Sequence, residues 1–207
     1  MKLSGYVIKR AALAFIASAS LLCLSAFAQE IRSEISIQGT GFFTKDSNGN
    51  GIQNGATQSG GFLVGYRYNI NHWLAAEGDY GFSRNTQLYA SGVGSVRVQS
   101  NVHEITGAAV VKLPQFLRFR PFVLAGGGVL VFDPTNNDGA ALFGASTETR
   151  GTFLYGGGAD YPLTKHVALR GEYRGFVYQA PNFNVAGLNS DSWTHVAQPS
   201  AGIVFRF

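Results

Sequence analysis

The chain has 207 residues, of which 45% are hydrophobic, 13% aromatic and only 14% charged, with 27 glycines and a single cysteine. Charge this far below the roughly 25% of soluble domains, combined with abundant Phe and Tyr, excludes a disordered chain, and one cysteine excludes an internal disulfide or a thiolate zinc site. The formal charge of +4 falls to +1 once Lys2, Lys9 and Arg10 are set aside, and the remaining arginines are scattered, so no basic stripe argues for nucleic acid.

Those three cations precede an apolar stretch from Ala11 to Phe27, the pattern of a secretory signal. The small-residue cleavage rule fits Ala26-Phe27-Ala28, which divides the chain into a signal peptide, residues 1–28, and a mature domain, residues 29–207. Cys23 lies inside the signal behind Leu22, where lipidation would require a small residue, so the mature chain contains no cysteine. After the signal no apolar run approaches the roughly 18 to 20 residues of a membrane helix.

The mature chain reads as eight segments alternating apolar with polar or small residues, the period of a β-strand. They run from Glu34 to Phe43, Gln58 to Tyr68, His72 to Ser83, Val96 to Val111, Arg120 to Phe132, Thr149 to Tyr161, His166 to Tyr178 and His195 to Phe207. The connections alternate between long (FTKDSNGNGIQNGAT, RNTQLYASGVGS, DPTNNDGAALFGAS, QAPNFNVAGLNSDSW) and short (NIN, LPQFLR, PLTK). This asymmetry puts both termini at the short-turn end and predicts an all-β, eight-stranded antiparallel up-and-down transmembrane barrel with four long external loops and three short periplasmic turns.

Successive side chains of a strand point to opposite faces. Leu74, Ala76, Gly78, Tyr80 and Phe82 share a face opposed by Glu77 and Asp79; Phe62, Val64, Tyr66 and Tyr68 oppose Arg67; Val167, Leu169, Tyr173 and Val177 oppose Arg170, Glu172 and Arg174; Ile203, Phe205 and Phe207 oppose Gln198, Ser200 and Arg206. A soluble barrel would coat its exterior with charge, and these charges are too few. The apolar face is therefore expected to meet lipid, with Tyr68, Trp73, Tyr161, Phe205 and Phe207 near strand ends as aromatic girdles, and the polar face to fill a narrow lumen. The glycine runs AGGGV and YGGGAD suit an interior with little room. In the lumen Arg67, Glu77, Asp79, Arg170, Glu172 and Arg174 are expected to pair with one another, because an unpaired buried charge is costly. Arg97, Gln99 and Asn101 are expected to join them. The alternation breaks at VHEI, which leaves the facing of His103 and Glu104 open and admits a β-bulge.

The signal, the eight amphipathic segments, RPFVLAGGGV, YGGGADYPL, LRGEYRGF and the terminal AGIVFRF together resemble the small outer-membrane β-barrel family that includes the OmpA transmembrane domain and OmpX, over essentially the whole mature chain. The resemblance implies residence in the cell outer membrane among its lipid and lipopolysaccharide. It also implies a C-terminal assembly signal, Ile203, Phe205 and Phe207, read by the barrel-assembly machinery during insertion. Unlike OmpA the chain ends at the barrel, so cell-wall anchoring is not implied.

Catalysis is not expected. A lipid-modifying barrel would need a Ser and a His positioned for nucleophilic attack, and the odd spacing of His195 and Ser200 puts them on opposite faces; His72, His166 and His195 read as strand-end residues. In DSNGNGIQNGAT, Asp46, Asn48, Asn50 and Gly51 follow a calcium-loop pattern, but its twelfth position is Thr57 where a bidentate Glu is required, so no metal and no cofactor is expected. Asn136, Asn137 and Asp138 read likewise as turn residues. The functional expectation is a structural or adhesin-like surface protein that meets an external ligand through its loops. A small porin is the alternative, and a lipid A-modifying enzyme the third reading.

Overall fold

The computed structural model describes residues 32–45, 47–49, 52–91, 94–135, 146–181 and 192–207. The signal peptide and its cleavage site, most of the calcium-like loop, and Asn136, Asn137 and Asp138 lie outside these residues.

Ten strands are present among them: β1 (Ser33–Thr44), β2 (Ser47–Gly49), β3 (Ile52–Ala56), β4 (Ser59–Asn69), β5 (Leu74–Ser91), β6 (Gly94–Lys112), β7 (Arg120–Pro134), β8 (Glu148–Pro162), β9 (Val167–Gln179) and β10 (Trp193–Arg206). Eight of them form a closed antiparallel ring in which each pairs with its chain neighbour, β5 joins β6, and β1 joins β10. The seam is sealed by reciprocal backbone bonds between Ser33 and Phe207, 3.0 and 2.9 Å. Closure leaves the eight-stranded ring without a free edge strand, which satisfies its backbone polar groups without water.

The strands follow the sequence period to within a few residues, with two instructive differences. Residues 84–95, which the sequence places in a long connection, are mostly strand: β5 and β6 stay in register as far as Ser91 opposite Gly94. The connection before β4 likewise contains the β2–β3 hairpin, which pairs onto the extended β5 from Gln53 opposite Ala90 to Ala56 opposite Gln87. Beyond the apolar band neither face of these segments needs to be greasy, so hydrophobic alternation fades while backbone pairing continues.

At the opposite end the turns are tight and locally specified. The Asn71 carboxamide oxygen accepts from the backbone N–H of Trp73 and Leu74 at 2.9 and 2.7 Å, and the Thr164 hydroxyl accepts from those of His166 and Val167 at 3.2 and 3.0 Å. Such side-chain acceptors stand in for a backbone turn. The β6–β7 turn closes by reciprocal backbone bonds between Phe116 and Phe119, with Leu117 at a φ of 54°.

Side chains alternate strictly. The outer face carries large exposed apolar groups, among them Ile37, Phe62, Ile105, Phe153, Leu169 and Ile203, each 42–55% accessible. On β1, β9 and β10 the outward positions between Ile35 and Phe43, Val167 and Val177, and Ala197 and Phe205 contain no charge. A soluble protein does not tolerate so much continuous apolar surface. Tyr68, Trp73, Tyr161, Phe205 and Phe207 sit around the short-turn end, where Phe119 packs on Tyr161 at 5.4 Å. One glycine illustrates the outer packing: Gly175, cross-strand from Tyr155, is covered by the tyrosine ring, an aromatic filling the gap a glycine leaves in a strand.

Candidate functional site: the barrel lumen

The inward face is built from the even-numbered residues of β1, β7, β8, β9, β10 and, from Ser100 onward, β6, and from the odd-numbered residues of β4 and, as far as Asn85, β5. On β9 it reads Arg170, Glu172, Arg174, then Phe176 and Tyr178, passing from charge near the short turns to aromatics near the long connections. Glu34 to Phe42 on β1, Arg206 to Val196 on β10 and Glu104 to Val102 on β6 run the same way.

The apolar part includes Phe42, Val102, Leu130, Phe132, Leu154, Phe176, Tyr178 and Val196, none more than 1% accessible. The rings of Phe132 and Tyr178 lie 5.8 Å apart. Inward glycines make room for the groups opposite them: a Cβ on Gly81 would press on the Glu104 carboxylate, and one on Gly158 would come within 2.9 Å of the Phe122 ring.

The charged part has two hubs. Arg174, fully buried, contacts four carboxylates: Glu77 at 2.7 Å, Asp79 at 3.0 Å, Glu104 at 3.5 Å, and Glu172. Arg170 grips Asp160 from Nε at 2.7 Å and Nη2 at 3.0 Å, and reaches Glu34 at 3.0 Å and Glu77 at 3.6 Å. Arg67 pairs with Glu77, and its guanidinium lies 4.2 Å from the centre of the Phe122 ring, with that of Arg170 at 5.1 Å. Arg206 completes the lower hub through Asp160 at 2.7 Å and Glu34 at 3.6 Å. Neutral side chains extend the set: Gln198 donates to Glu104 at 2.8 Å, and Ser200 to Gln38 at 3.0 Å.

Arg67, Glu77, Asp79, Arg170, Glu172 and Arg174 thus meet inside the barrel. The expected ion-pair set omits Glu34 and Asp160, whose signal lies in the alternation SEISIQ and in the Asp that ends YGGGAD, and also Arg206, although the alternation of the last strand already puts it on the lumen face. The facing left open at VHEI is resolved without a bulge, since β6 keeps continuous register with both neighbours: Glu104 points inward and His103 outward. Two residues expected in the network belong elsewhere. Asn101 shares the outer face with His103 and accepts from Arg84 at 3.1 Å, and Gln99, on the same parity, accepts from the Thr135 hydroxyl at 3.1 Å. The Arg97 side chain lies outside the described residues.

His103 and His195 are both paired on the outer face, with the hydroxyls of Tyr80 and Tyr155 respectively, each at 2.8 Å. Ser200 is inside, so the geometry does not bring His195 to it. His72 and His166 lie exposed in short turns. Ile203 and Phe205 point outward, and Phe207 follows β10 at the seam.

The model of the family described as "Outer membrane protein beta-barrel domain" matches residues 14–207. No curated protein matches the sequence. Among solved structures the chain is similar to OprG, an outer membrane protein of Pseudomonas aeruginosa (14% identity, 86% of this chain and 97% of that one, TM-score 0.60). It is also similar to the Neisserial surface protein A (16%, 84% and 97%, TM-score 0.55), and to Ail, the attachment invasion locus protein of Yersinia pestis, solved with the heparin analogue sucrose octasulfate (17%, 86% and 100%, TM-score 0.53).

Proposed function

Since the chain belongs to the outer membrane protein beta-barrel domain family and resides in the outer membrane, we propose that it is a closed, non-catalytic scaffold that presents its external loops to a ligand at the cell surface. The observation that carries this is the state of the lumen. Arg67, Arg174, Phe42, Phe132, Phe176, Leu63, Leu130 and Leu154 are each at most 2% accessible although they point into the barrel. A water-filled passage would wet them, and a narrow eight-stranded barrel filled by its own side chains conducts nothing. With the interior committed to packing, recognition is left to the segments joining the strands. The separation of His195 from Ser200 supports the non-catalytic reading, because no base is positioned on that hydroxyl.

Within this reading the outer face is bathed by lipid and lipopolysaccharide. Ile203, Phe205 and Phe207 form the signal engaged by the assembly machinery before the seam closes. The test replaces residues 136–145 and 182–191, the connections between β7 and β8 and between β9 and β10, by short turns. Attachment of cells producing either form to immobilised heparin and to epithelial monolayers is then measured, with heat-modifiable gel migration as the check that the barrel is intact. Attachment by the full chain that the trimmed form loses supports the proposal; solute uptake that depends on the full chain, with no attachment, overturns it.

A further inference from the structure

The short-turn mouth of the lumen holds a cavity of about 270 Å3, several times the roughly 30 Å3 share of one water, walled in part by Glu34, Arg67, Lys112, Arg120, Asp160 and Arg206. An adjoining hollow shares Glu34, Lys112, Arg120 and Arg206 and adds Lys165. The wall is cationic, and its two carboxylates are already engaged. Glu34 accepts from Asn69 at 3.2 Å and faces Arg170, Arg206 and Lys112 at 3.0, 3.6 and 3.8 Å. Asp160 is held by Arg170 and Arg206, both at 2.7 Å.

Arg120 stands directly across the β7–β8 ladder from Asp160, yet among the described residues it forms no ion pair, because both oxygens of that carboxylate are taken by other guanidinium groups. Lys165, in the β8–β9 turn, has no acidic partner among the described residues either. Deeper in the wall, Arg67 is 2% accessible and its Nη2 has no hydrogen-bond partner among the described residues. Converging cations, and a buried N–H group without an acceptor, are costly in a low-dielectric wall. A tetrahedral oxyanion removes both costs, since guanidinium groups donate to it in a fork and lysines supply point charge.

From this geometry we infer that the short-turn mouth is a binding site for a phosphate group, approached from the periplasmic side. The group is either free phosphate or the headgroup phosphate of an inner-leaflet lipid leaning over the rim. The site is independent of whether the lumen conducts or the loops bind a ligand.

The test uses the refolded full chain in an uncharged detergent at low ionic strength. Phosphorus NMR follows titration with inorganic phosphate in one arm, and with dihexanoylphosphatidylglycerol below its micellar concentration in the other. The wild type is expected to bind at least one probe. The Arg120→Gln/Lys165→Gln double variant is expected to bind it more weakly by about tenfold or more, since the loss of even one charge-assisted hydrogen bond is worth about that much. Both residues are exposed, so this variant keeps its fold, checked by heat-modifiable migration. Arg84→Gln, an exposed cation near the other end of the barrel, is expected to bind like the wild type. Binding of phosphate alone assigns a soluble anion, and tighter binding of the lipid assigns a headgroup. No binding of either probe by the wild type, or equal binding by wild type and double variant, overturns the site.

Discussion

The two halves of the lumen are filled by opposite means. Toward the long connections Phe42, Phe132, Phe176 and Tyr178 pack as a small hydrophobic core, stabilised as in a soluble protein by apolar burial and close contact. Toward the short turns the interior is dominated by ions, set among apolar residues such as Val110, Phe122 and Leu124, and these ions recover their desolvation penalty only as far as they pair with one another. The apolar half tolerates changes that keep volume; the charged half tolerates only changes that keep the charge balance. The difference predicts separate failure modes for neighbouring positions on one strand, Arg174 and Phe176.

The largest effects are expected at Arg174 and Phe176. Replacing Arg174 with Met leaves Glu77, Asp79, Glu104 and Glu172 without their common counter-ion. That should cost about 3 to 5 kcal/mol, the usual penalty for removing one partner of a buried ion pair, read as a shift in the urea midpoint of the vesicle-inserted protein followed by Trp73 and Trp193 fluorescence. Adding Glu104→Gln should recover part of the loss. Failure of this second change to recover anything would argue against electrostatic coupling.

Phe176→Ala two residues on should also cost about 3 to 5 kcal/mol by cavity formation. Here Phe176→Leu should recover most of the loss in the same unfolding assay, and no change of charge elsewhere should help. On the outer face Leu169→Arg places a cation in hydrocarbon and should cost about 2 to 4 kcal/mol, whereas Tyr68→Arg at the rim should cost about 0 to 1. Equal penalties for the two would mean that the apolar face does not meet lipid. The smallest effect is expected for Arg120→Gln, which breaks no ion pair among the described residues and should leave the unfolding midpoint within about 0.5 kcal/mol of the wild type.

The strands were legible because the membrane enforces contrast: where one face must be apolar, as in LRGEYRGF, Arg170, Glu172 and Arg174 separate cleanly from Leu169 and Tyr173. Legibility fails where that contrast is absent or inverted. At β6 the inward Val102 is apolar and the outward His103 and Asn101 are polar, so a reading by polarity sends Asn101 and Gln99 to the wrong side and leaves Glu104 undecided. Beyond Ser83 the β5 sequence RNTQLYAS mixes polar and apolar residues without a sustained alternation, so its continued pairing with β6 as far as Ser91 opposite Gly94 leaves little periodic trace. The partners within the site were illegible for a different reason. Arg170 and Glu34 are 136 residues apart and meet only because the sheet closes, so their contact depends on the registers around the whole ring.

The most direct test of a lumen closed by its own side chains is single-channel recording of the refolded full chain in planar bilayers, with Glu77→Ala and Arg170→Ala alongside. The wild type should insert and give no steady current, and the two variants should differ from it, if at all, only by brief irregular openings. A stable ohmic conductance in the wild type, altered in size or ion selectivity by either substitution, would mean that water runs through the charged tier, and the barrel would have to be read as a pore.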